Sequence, residues 1–324
     1  MPRTRSMLPI LILPAAVLLF TAACSEEPEP TSAGTELAIA VASFDLAVGE
    51  DQRLMTGVFT PARELVLFGE LSFELGYLGE DPTGAAELEQ QVTASFLPIP
   101  GMEPDGDPGT ATLVPTEDGT GVYEARVDLD RAGFWGLRVT ADLDDGSVRS
   151  GTITFPVLAE HEVPAVGDEA PRTVNPTLAD VEEGRIEPVA LDSRAQGADP
   201  RVPDQHLHAG TVAESIEAGR PVVVMVSTPV YCVSRFCGPL TEVVSSLAHD
   251  YEDRADFVMI EVWEDFDEQR LVPAAAEWIQ TETGGNEPWV FLVGADGRIQ
   301  ARWDNVLDVA ELIDELEALP VRDR

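Results

Sequence analysis

The chain begins with an apolar run, Met7 to Phe20, set behind Arg3 and Arg5 and ahead of the small residues Thr21-Ala22-Ala23. A short positive region, an apolar stretch too short to span a bilayer and a small-residue end predict a cleaved export signal over 1–23. Ser25 to Thr35 is dense in Glu, Pro, Ser and Gly with no apolar period, which predicts a flexible tether over 24–36. From there, short apolar or alternating runs are separated by Gly, Pro and Asp: Leu37 to Phe44, Leu54 to Phe59, Leu65 to Leu75, Val92 to Leu97, Val122 to Val127, Trp135 to Ala141 and Val148 to Val157. This period of two, almost free of helical spacing, predicts an antiparallel β-sandwich over 37–158. Residues 159–190, with Pro164, Pro171, Pro176 and Pro188 among acidic side chains, predict a second linker.

Beyond it the pattern changes. Val222 to Val226 is continuously apolar, as in a strand buried on both faces. A helical pattern (Leu240 to Tyr251), a strand (Phe257 to Val262), a helix (Pro273 to Thr281), two strands (Trp289 to Val293 and Arg298 to Arg302) and a last helix (Val309 to Leu319) follow. That order predicts an α/β domain over 191–320 and, for the whole chain, two domains.

Charge narrows the partners. The chain has 59 acidic and 20 basic residues, a formal net charge of −39, and every basic residue is arginine. Such a surface repels nucleic acid and anionic headgroups, so no nucleic acid is expected as a partner. No stretch after the signal is apolar and long enough to span a bilayer.

Candidate chemistry rests on three cysteines. Cys24 closes the signal, while Cys232 and Cys237 enclose four residues between the apolar strand and the following helix. These two have each other, a metal or a substrate to react with, and a thiol pair at that position is a candidate redox or metal site. Residues five apart on one continuous helix stand about 8 Å from each other, beyond the reach of a disulfide. The intervening residues are therefore expected to be partly looped, with Cys232 in the loop and Cys237 near the helix start. The helix N-terminus and Arg235 would lower a thiolate pKa there. His206 and His208 lie ahead of a capping-box pattern, Thr211-Val212-Ala213-Glu214, and are candidate metal ligands.

Several stretches resemble known families. Thr21-Ala22-Ala23-Cys24 resembles a bacterial lipoprotein signal, which implies acylation of Cys24 and a protein held by lipid at the outer face of the cytoplasmic membrane, where disulfides persist. Gly121-Val122-Tyr123-Glu124-Ala125 and Ala132-Gly133-Phe134-Trp135-Gly136-Leu137 resemble immunoglobulin-like domains of exported bacterial proteins. Val166-Gly167-Asp168-Glu169-Ala170-Pro171, the helix from Cys237 to Tyr251, and Asn286 to Val293 with Ala295-Asp296-Gly297-Arg298 resemble thioredoxins. The last resemblance implies an α/β thioredoxin-like fold after the all-β sandwich, a cis-proline at Pro288, and backbone at Glu287 and Pro288 that receives a substrate chain. The pair is C-x4-C rather than C-x2-C, and Val222 to Val226 holds no acidic residue to accept a proton.

Four functions follow from these readings. The first is a membrane-anchored thiol-disulfide oxidoreductase in which Cys232 attacks and Cys237 resolves. It needs no cofactor; its partners would be a protein or small-thiol disulfide substrate and an exported or membrane-borne electron donor. The second resembles copper-handling assembly chaperones, with Cu(I) held by Cys232 and Cys237 and by His206 or His208. The third resembles peroxiredoxins, with Cys237 as peroxidatic thiol and Ser234 in the expected place but Pro229 one position off. The fourth is a surface lipoprotein whose pair is a structural disulfide.

Overall fold

A computed structural model describes residues 36–84, 87–106, 109–115, 120–198, 200–232, 236–282 and 284–321. The expected signal, the lipidation site Cys24, the tether up to residue 35, and Ser234 and Arg235 lie outside the described residues.

The first half is all β: β1 (Ala38–Val41), β2 (Gly49–Phe59), β3 (Leu65–Leu67), β4 (Glu70–Gly79), β5 (Gln90–Pro98), β6 (Thr112–Val114), β7 (Gly121–Leu129), β8 (Gly133–Asp142) and β9 (Val148–Val157). They join in one hydrogen-bonded order, β6-β3-β2-β7-β5-β4-β8-β9, with β1 antiparallel to β2. Bridges Glu36↔Ser150 and Ala47↔Leu158 bring β9 back to the chain around β1. The sheet thus curls about a core that includes Leu54, Phe73, Tyr123, Trp135 and Phe155. Alternation does the sorting here, because inward positions of β7 and β8 are buried while their neighbours are not. The apolar run Leu65 to Leu75 is two strands rather than one. Phe68 and Gly69 turn through positive φ (65° and 60°), and a Cβ on Gly69 would fall 2.5 Å from the Ala111 amide nitrogen.

The second half contains α1 (Leu178–Glu182), α2 (Val212–Glu217), β10 (Val222–Ser227), α3 (Cys237–Asp250), β11 (Asp256–Glu261), β12 (Trp263–Asp265), β13 (Arg270–Leu271), α4 (Pro273–Ile279), β14 (Trp289–Val293), β15 (Ile299–Asp304) and α5 (Val309–Ala318). Four strands run in the order β11-β10-β14-β15, with β10 parallel to β11 and antiparallel to β14; β12 and β13 form a separate hairpin. Every residue of β10 and β14 is buried, which explains their unbroken apolar sequence. Residues of α2 and α4 cover one face and residues of α3 and α5 the other. Among the described residues no helix is long and apolar enough to cross a membrane.

The expected fold class, two domains with an immunoglobulin-like sandwich followed by an α/β thioredoxin-like fold, is corrected by this architecture. Among the described residues strand makes up 39% against 18% helix, in sheets of nine, four and two strands, and an α/β thioredoxin fold is not evident. The described residues also fall within one compact unit. The physical reason is a shared interior: Met55, Ile99 and Val122 of the first half pack in one cluster with Val306 of the second. The Pro-rich segment 159–190 is likewise held to the second half, the Gly167 amide donating to the Ile299 carbonyl and the Ala170 amide to the Gly297 carbonyl.

A buried ion-pair network spans the same junction. The Arg53 guanidinium of β2 meets the Glu124 carboxylate at 2.6 Å and Asp304 Oδ1 at 3.4 Å, and it also donates to the Asp304 carbonyl. Asp304 Oδ2 accepts from the Phe44 amide at 2.5 Å. Burial pushes the Asp304 carboxyl above its ordinary pKa, and the Arg53 charge opposes that shift. Alongside it, Arg302 reaches Asp45 at 2.9 Å, and His161 Nδ1 lies 2.9 Å from the same carboxylate oxygen. Removing one member strands its partners in a low-dielectric setting. Arg53→Met is therefore expected to destabilise the fold by about 3–5 kcal/mol in denaturant unfolding, with Arg53→Met/Asp304→Asn recovering part of the loss.

Candidate functional site

The two cysteines are joined: Cys232–Cys237 is a disulfide with Cα atoms 6.0 Å apart. Cys232 lies in the loop after β10, partly exposed, and its amide donates to the Thr228 carbonyl. Cys237 is the first residue of α3 and is fully buried. Among the described residues no side chain caps the N-terminus of α3, and its first-turn N–H groups direct their partial positive charge toward the disulfide end.

The sheet sets what lies around the pair. Ser227, last in β10, stands opposite Glu261, last in β11. On the other flank Val226 pairs with Trp289, so Pro288 stands at the same sheet edge. The Glu287–Pro288 peptide is cis, Pro288 is buried, and its carbonyl accepts from the Asn305 amide at 2.8 Å. Burial raises the Glu287 carboxyl above its ordinary pKa. Glu287 and Pro288 thus share the edge from which the cysteine loop departs.

Glu261 is the residue that sequence reasoning missed. The acid is absent from the strand before the cysteines and instead ends the neighbouring strand. Its signal was readable as a lone acid in Phe257-Val258-Met259-Ile260-Glu261-Val262. Ser193 binds it to the cysteine loop: the Ser193 amide donates to Glu261 Oε2 at 2.7 Å, and Ser193 Oγ accepts from the Val230 amide at 3.1 Å. The Val262 amide donates to Oε1 at 2.9 Å. Thr228 also acts on this carboxyl, although its hydroxyl does not reach hydrogen-bond geometry. Burial outweighs these donors and lifts the Glu261 carboxyl to about 7.

Next to Cys232 opens a groove of about 490 Å³ between segment 184–190 and the β12–β13 hairpin. Tyr231 and Phe266 stack in its wall, ring centroids 4.3 Å apart and planes 3° from parallel, and Trp263 meets Phe266 edge-on at 5.6 Å.

The histidines lie elsewhere. His206 Nε2 is 3.3 Å from the Ser245 carbonyl, and its ring is 4.1 Å from that of His249. Ser245 is eight residues along α3 from Cys237, about 12 Å at the helical rise. His208 is buried with Nε2 3.4 Å from Asp192. Burial opposes ionisation of Asp192, but hydrogen bonds from His208 and Arg194 prevail and hold its pKa at about 2. The expected copper set, Cys232 and Cys237 with His206 or His208, is not grouped among the described residues. Among the described residues no three His, Cys, Asp or Glu side chains are grouped to hold a metal ion.

No protein-family model and no curated protein matches the chain. Among solved structures, similarity is found to "Crystal structure of BslA - A bacterial hydrophobin", at 12% identity and a TM-score of 0.18, covering 38% of this chain and 97% of that one.

The Glu261 shift has a definite sign. Between about pH 4.5 and 7 the folded protein holds a proton on Glu261 that the unfolded chain has released, so stability falls as pH rises through that window and levels off above it. The loss is on the order of 3 kcal/mol. Glu261→Gln is expected to flatten the slope in denaturant melts run across this range.

Proposed function

We propose that the chain is a lipid-anchored, extracytoplasmic thiol-disulfide oxidoreductase that works through Cys232 and Cys237. The observation that carries this reading is the asymmetry of the pair. One sulfur sits in a partly exposed loop beside a groove, and its partner is buried at a helix N-terminus. A thiolate at either position gains from the helix dipole, and only Cys232 is placed to meet an incoming sulfur.

In the reduced form the Cys232 thiolate attacks a substrate disulfide. One S–S bond forms as another breaks, and one substrate thiolate leaves. Cys237 then attacks Cys232 Sγ, releases the second substrate thiol and closes the Cys232–Cys237 bond, so two electrons pass to the substrate. The same steps in reverse oxidise a substrate dithiol. Glu261, which ends the strand beside β10 and is tied to the cysteine loop through Ser193, would exchange the proton that each thiol gives up or regains. An exported or membrane-borne dithiol would restore the reduced pair. Acylation of Cys24 would hold the protein at the outer face of the cytoplasmic membrane.

Trapping tests the assignment of roles. Cys237→Ser is expected to accumulate a mixed disulfide through Cys232, visible as a reductant-sensitive adduct by mass spectrometry, whereas Cys232→Ser accumulates none. Trapping through Cys237 in the Cys232→Ser variant would reverse the roles. No adduct in either variant would leave the pair a structural bridge.

A further inference from the structure

The groove beside Cys232 carries features that disulfide exchange alone does not require. Its wall holds three aromatic rings, Tyr231 stacked on Phe266 and Trp263 edge-on to Phe266. Phe266, 38% exposed, places apolar area in solvent at the groove, and Val230, 50% exposed, does so one residue before Tyr231. Charge at the groove is unbalanced. Arg185 is engaged by Asp180 and Glu183, and Arg270 by Glu264, Asp265 and Glu268. The exposed carboxylates of Glu187 and Asp267 line the same groove and have no ion-pair partner among the described residues.

Aromatic faces draw cations through their quadrupole, and unpaired carboxylates at the rim add direct attraction. Exposed apolar area beside these charges suits an extended chain that brings side chains as well as charge. A strongly negative protein also steers cationic partners toward itself before contact. We infer that this groove binds an extended segment of the substrate polypeptide in which basic residues alternate with apolar ones beside the reacting cysteine. The inference rests on the oxidoreductase reading for the word substrate. The binding itself does not depend on redox activity.

The test uses the intact chain in mild detergent, with micelles alone as blank, and fluorescent peptides that contain no cysteine. A peptide of alternating arginine and leucine is expected to bind, more weakly as salt rises, while one of alternating glutamate and leucine does not. Glu187→Gln/Asp267→Asn and Phe266→Ser are each expected to weaken the arginine peptide roughly ten-fold. Glu80→Gln/Glu87→Gln, which removes the same charge from exposed positions in the loop between β4 and β5, should leave binding unchanged. Equal binding by the groove variants and the parent protein would overturn the inference, as would spermine competing as well as the peptide does. Because the peptides lack sulfur, a redox-inert Cys232–Cys237 pair would sink the exchange reaction without altering this result, and failed peptide binding would leave the trapping result standing.

Discussion

The placement of the cysteine site depends on the buried charge of Asp304. It closes β15 and is fixed from the first half of the chain by the Arg53 guanidinium and the Phe44 amide. The next residue, Asn305, donates its amide to the Pro288 carbonyl, which sets the start of β14. β14 pairs with β10, and β10 delivers the loop that ends at Cys232. A carboxylate this deeply buried is tolerable only while its partners stay in place. The nine-stranded sheet therefore acts as more than a spacer, because it supplies the counter-charge that holds the site's supporting strand.

The site itself combines opposed requirements. A sulfur must be reachable to exchange, yet a disulfide resists random reduction when it is buried. The chain divides these between its two cysteines, with exposure at Cys232 and burial at Cys237. Glu261 adds a titrating group at neutral pH by the same means, since burial raises its pKa against several hydrogen-bond donors. Both features arise at the end of one parallel strand pair, where β10 and β11 stop together.

Much of the local structure was legible. The runs Val148 to Val157 and Trp289 to Val293 coincide with β9 and β14, because strict alternation and continuous burial each leave a clear signature. The break at Phe68-Gly69 was not, since it depends on positive φ rather than on polarity. The fold class failed for a different reason. Periodicity says which face of an element is buried but not what buries it, and Met55, Ile99 and Val122 carry no mark of their contact with Val306. The Pro-rich segment has the composition of a linker, and composition does not show that its Gly167 and Ala170 amides donate to residues about 130 positions away, at Ile299 and Gly297. Of the candidate site, Cys232, Cys237, Glu287 and Pro288 come to one sheet edge. His206 and His208 do not, and the Tyr231–Phe266 stack appears only when the β12–β13 hairpin folds back on the cysteine loop.

The central claim is that Cys232 and Cys237 exchange disulfides rather than merely staple a loop. The reduction potential of the pair, measured by equilibrating the intact protein in glutathione and dithiothreitol buffers, tests it most directly. The account predicts a value between about −120 and −270 mV, in the range of thiol-disulfide catalysts. A value below about −300 mV, typical of inert structural bridges, would contradict it.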